Sequence, residues 1–137
     1  MTPFFASPRF LRNVLLADAV SCLACGVLQV ALPGALSPLL GLPAPLVMGT
    51  GILLLLYGAL VGWLAMRRPV PRAPVWLLVL GNTGWGIACV ALLMGDHVQP
   101  TALGQAYVLV QAATVFLLAD LQLLGLWRGT SRRAAPA

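Results

Sequence analysis

Four long apolar runs leave this chain very few folds to choose from. They cover roughly residues 11–32, 45–66, 74–95 and 102–127, and a transmembrane helix needs about 20 mostly apolar residues. None alternates with the two-residue period of a barrel strand. Helices, which satisfy their own backbone hydrogen bonds inside hydrocarbon, are therefore expected. Composition agrees. The 137-residue chain is 61% hydrophobic and only 8% charged, whereas a soluble domain carries about 25% charged residues. It has too little polar surface to coat itself in water.

The runs are separated by turn-forming segments. "LPGALSPLLGLPAP" (32–45) is rich in proline and glycine, "RRPVPRAP" (67–74) is basic, and "GDHVQP" (95–100) is short and polar. All eight basic residues are arginine, at positions 9, 12, 67, 68, 72, 128, 132 and 133. In an up-and-down bundle all of them fall at one end. The positive-inside rule then places both termini in the cytoplasm. Trp63, Trp76 and Trp127 lie beside these arginines, as an interfacial aromatic belt would. The lysine-free composition, rich in Ala, Leu, Gly and Pro, suggests a GC-rich bacterial genome and hence a bacterial inner membrane.

The expected fold is thus an all-α, single-domain bundle of four transmembrane helices with both ends cytoplasmic. The net charge of +5 does not point to nucleic acid, because the arginines sit only at the ends of apolar runs. The bilayer is the expected partner, together with a homo-oligomeric neighbour. Cleavage of the first span at "ADAVSC" is not expected. The apolar run continues well past Cys22, and Asp18 interrupts what would be the signal core.

A shift of 64 residues lays the first hairpin on the second. It matches Asp18 with Asn82, Ala24 with Ala88, Cys25 with Cys89, Leu28 with Leu92 and Trp63 with Trp127. Leu-rich chains give some such matches by chance, so a parallel repeat and a coincidence both stay open.

The polar residues inside the spans are the candidate site. Asp18, Ser21, Cys22, Cys25 and Gln29 recur at i, i+3, i+4, i+7 and i+11, which is one helical face. Counting 1.5 Å per residue from the arginine ends puts Asp18 about 9 Å deep and Asn82 and Asp120 about 12 Å deep. Tyr57 lies slightly deeper, and Trp85 shares the Asn82 face. On span four, Asp120 shares a face with Ala113 and Trp127, while Gln111, Thr114 and Gln122 lie nearly opposite. Gly51, Gly58 and Gly62 form a smooth stripe on the second span, suited to helix packing.

An aspartate at the centre of a membrane helix costs about 2.5–3.5 kcal/mol on insertion scales. Two readings compete for Asp18 and Asp120. In one they bind a proton or cation in a small transport or permeation protein with an unknown substrate. In the other they hold the bundle together by hydrogen bonds, as in an accessory or scaffold protein.

Cys22, Cys25 and Cys89 raise a third reading, soft-metal handling, but as buried free thiols they read first as small apolar residues. Four spans with a cysteine pair in the first resemble the mercuric-ion transport family. The further cysteines of that family near the C-terminus are absent here, so its activity is not carried over. The small multidrug-resistance exporters also carry an acid in the first of four spans, matched here by Asp18, but the lopsided arginines depart from their pattern. His97, beside Asp96, reads as a turn residue. No resident metal or cofactor is expected, and haem would want histidines within the spans. No HExxH, GxSxG or phosphate loop is present, so no enzyme activity is expected.

Overall fold

The computed structural model describes residues 9–134, with side chains described through Gly129. Among the described residues there are five helices and no strand: α1 (Phe10–Ala31), α2 (Pro33–Leu40), α3 (Ala44–Met66), α4 (Arg72–Met94) and α5 (Ala102–Ala134). Four of them, α1, α3, α4 and α5 as far as Gly129, are long and apolar enough to cross a membrane. They match the four runs of the sequence. The N-terminal "FFASPRF" segment lies largely outside the described residues.

The connection 32–45 is more ordered than its composition implies. Pro33 opens the short helix α2 at a position where a missing N–H costs nothing. Gly41 ends it with a left-handed φ of 67°. That conformation suits glycine, and a Cβ there would also press within 2.7 Å of the Gln99 carbonyl and the Thr101 nitrogen. Thr101 fastens the two elements. Its N–H donates to the Leu40 carbonyl at 3.0 Å. Its hydroxyl donates to the Leu39 carbonyl at 2.8 Å and accepts from Gly104 N–H at 3.1 Å, capping α5.

The long helices pair as two hairpins, α1 with α3 and α4 with α5, joined chiefly where α1 packs on α5. The α1–α3 seam is close because small residues line it. A Cβ on Gly51 would lie 2.7 Å from Gln29 Cβ, and one on Gly26 would lie 2.9 Å from the Gly51 carbonyl oxygen. A Cβ on Gly58 would reach Leu23 Cγ at 2.9 Å, whereas Gly62 faces Ala19 with room to spare. Between helices in lipid, such close approach supplies the dispersion contacts that hydrophobic burial cannot.

The outer surface is apolar. Leu56 and Leu77 are 68% and 69% exposed, and Val20, Leu80 and Val110 are similarly open. In water such a surface would drive aggregation; hydrocarbon solvates it. The described arginines lie at one end of the bundle. There the Arg67 guanidinium stacks 4.0 Å above the half-exposed Trp63 ring, and Arg72 donates to the Leu126 carbonyl.

Gly51→Ala is expected to cost about 1–3 kcal/mol by overpacking the α1–α3 seam. Gly49→Ala, whose added Cβ meets nothing within 4 Å, is expected to leave stability unchanged. Thermal unfolding of the two variants in one detergent checks the pair.

Candidate functional site

Helix α1 turns Asp18, Cys22, Cys25 and Gln29 of its polar face inward and divides them between two clusters. The first is built on Asp18, which is fully buried. Asn82 Nδ2 on α4 donates to Asp18 Oδ2 at 2.9 Å, and Gln122 Nε2 on α5 donates to the same oxygen at 2.7 Å. The other oxygen, Oδ1, accepts the Cys22 thiol at 3.4 Å, one turn along α1. Asn82 Nδ2 also reaches Gln122 Oε1 at 3.3 Å, closing the triangle. These partners of the carboxyl are uncharged. Tyr57 stands beside the cluster from α3, its hydroxyl donating to the Leu78 carbonyl at 3.3 Å.

The second cluster lies toward the arginine-free end and draws on all four long helices. Thr50 Oγ1 on α3 is 2.8 Å from Gln29 Oε1. Gln29 Nε2 donates to the Tyr107 hydroxyl on α5, which lies 3.2 Å from Cys25 Sγ. On α4, the Trp85 indole donates to Gln111 Oε1 at 3.1 Å. Beside these groups is a cavity of about 60 Å³ whose lining includes Gln29, Thr50, Trp85, Cys89, Tyr107 and Gln111.

The sequence-derived layer is therefore split. Asp18 and Asn82 come together, with Tyr57 adjacent. Trp85 sits in the other cluster. Asp120 lies on the exposed outer face of α5. The reason is the inward stripe of α5, Val108, Ala112, Val115, Ala119, Gln122 and Leu126, all buried at alternating spacings of four and three. That stripe carries Gln122 in and Asp120 out. Ser21 is also exposed and spends its hydroxyl on the Asp18 carbonyl at 2.9 Å, a local bond that membrane helices use to satisfy serine. Cys22, Cys25 and Gln29 do lie on the inward side. Depth alone misses Gln122, Thr50, Tyr107 and Gln111. The spacing of the α5 stripe, and the i, i+4 relation of Tyr107 to Gln111, are the signals that find three of them.

The cysteines do not converge. Cys22 faces Asp18, Cys25 faces Tyr107, and Cys89 lines the cavity. Among the described residues no three His, Cys, Asp or Glu side chains gather where they could hold a metal ion. The arrangement is a set of neutral hydrogen-bond partners around one carboxyl, beside a cavity whose lining carries no Asp, Glu, His, Lys or Arg. No protein-family model matches this chain, and neither a curated protein nor a solved structure matches it.

Two aspartates on one fold give opposite expectations. Asp18→Leu leaves buried amides of Asn82 and Gln122 short of an acceptor and should cost about 1–3 kcal/mol. Asp120→Leu removes an outward carboxyl and should leave the thermal midpoint unchanged or raise it. Unfolding of both variants in lipid nanodiscs checks the contrast.

Proposed function

We propose that this chain is a non-enzymatic, non-conducting accessory protein of a bacterial inner membrane, whose intramembrane polar residues assemble the bundle. The carrying observation is the state of Asp18: it has no exposed surface, and both carboxylate oxygens are occupied by donors from α1, α4 and α5. A proton- or cation-linked pathway through this layer would need a carboxylate that water or a hydrated ion can reach. Soft-metal handling would need the three thiols to share a site, and they face different groups.

Orientation in this reading has both termini in the cytoplasm, supported by the gathering of the arginines at one end. Asp120 supports the accessory role. A carboxyl exposed on a membrane-facing helix about 12 Å from the arginine end is unfavourable in lipid. A neighbouring helix, from a second copy or another membrane protein, would relieve that cost by offering a donor. The bundle then presents one polar contact laterally while its interior stays closed.

Reconstitution into vesicles containing a pH-sensitive dye tests the reading. Under an imposed proton or potassium gradient, the wild-type chain and Asp18→Asn are both expected to match protein-free vesicles. Flux through the wild-type chain that Asp18→Asn abolishes, with its thermal midpoint preserved, would overturn the accessory reading in favour of transport.

A further inference from the structure

The outer face of α5 carries a group that the packing of the bundle does not explain. Ala106, Val110, Ala113, Leu117, Asp120 and Leu124 are all exposed and recur at alternating spacings of four and three, the spacing along which one helix lies on another. Toward the arginine-free end, Ala106 and Ala113 keep this seam shallow enough for a second backbone to fit close. Asp120 does not belong on a lipid-facing surface. Among the described residues it has no hydrogen-bond or ion-pair partner. Its single methylene is too short to carry the carboxyl the roughly 12 Å to the level of Arg128, as the long stems of Lys and Arg do near a helix end.

The contrast with Asp18 defines what must cover it. Asp18 is satisfied by neutral groups, but these come from three helices folded around it. A single helix laid along the α5 seam brings one side chain to the depth of Asp120. A guanidinium or an ammonium is the side chain that supplies several N–H donors and the compensating charge together. Within a span of its own, such a cation is as costly in hydrocarbon as the aspartate, so pairing relieves both.

A second copy of this chain does not offer that group. Two copies inserted in the same orientation, and meeting on this seam about an axis along the membrane normal, set Asp120 against Asp120. On the other helices the hydroxyls near this depth are Ser21 and Thr83, each donating to a carbonyl of its own helix at 2.9 and 2.7 Å. All eight arginines lie at the span ends or outside the spans. We propose that the outer face of α5 docks a transmembrane helix of a different protein, one that carries an arginine or lysine at the depth of Asp120, about 12 Å from the arginine end of the bundle. This inference rests on the accessory reading and names the chemistry of its lateral contact.

Synthetic single spans serve as probes. Each is a Leu/Ala helix of about 20 residues with an acceptor dye at one end. One peptide has an arginine about eight residues from the dye, the spacing of Asp120 from Arg128; the second has leucine there, and the third aspartate. The full chain, carrying a fluorescent protein at its C-terminus, is reconstituted with each peptide in phosphatidylcholine vesicles, and association is read as energy transfer against peptide density. The wild-type chain is expected to hold the arginine peptide roughly tenfold more tightly than the leucine or aspartate peptide. Asp120→Leu should erase that preference, and Asp120→Arg should transfer it to the aspartate peptide, with the thermal midpoint reporting that each variant is folded. The proposal is overturned if the wild-type chain does not distinguish arginine from leucine, a comparison that needs no variant, or if Asp120→Leu keeps the preference. It is equally overturned if two differently labelled copies of the wild-type chain show energy transfer that Asp120→Leu abolishes, because a second copy then occupies the seam. No gradient enters these measurements, so their failure is distinct from that of the accessory reading, which fails on flux.

Discussion

Hydrocarbon offers a polar side chain no solvent, so every such group in a membrane bundle must find its partner within protein. The Asp18 carboxyl is where this constraint is most severe. Its donors come from α4 and α5 as well as from its own helix, so satisfying one side chain fixes the relative depth of three spans. The bond between Asn82 and Gln122 adds the α4–α5 register to the same triangle. Apolar contacts alone specify depth poorly in lipid, because a leucine is equally content against a tail or a neighbouring helix.

The two hairpins solve the packing problem by different means. On the α1–α3 seam glycines and small side chains let backbones come together. On α4–α5 larger groups interlock. A Cβ on Gly86, for instance, would meet the Phe116 ring at 2.6 Å. The halves then join through α1 on α5, and α3 meets α4 where Val61, Leu64 and Ala65 share a buried cluster with Val75 and Leu78.

Much of this was legible beforehand. The four spans, the gathering of arginines and tryptophans, the glycine stripe and the inward placing of Asp18 all follow from length, charge and period. What depth could not supply was rotation. Asp120 and Asn82 sit at similar estimated depths, yet depth says nothing about which way a helix faces, and the burial pattern of α5 turns Asp120 outward and Gln122 inward. Thr50 is obscured for another reason: it is an isolated polar residue near a span end, and only the fold shows that it meets Gln29. The helix α2 inside a proline-rich connection was likewise hidden, because proline opens a helix as readily as it breaks one.

The Asn82–Asp18 bond joins positions 64 residues apart, the same offset as the candidate repeat. Were the hairpins identical copies meeting about an axis, the residue at this point would face itself. Two carboxylates would repel, and two amides would form a weaker bond. Two hairpins on one chain are free of that restriction, whether or not they share an origin. One position can become an acceptor and its counterpart a donor, so that the contact reads in one direction only and each half acquires a distinct identity.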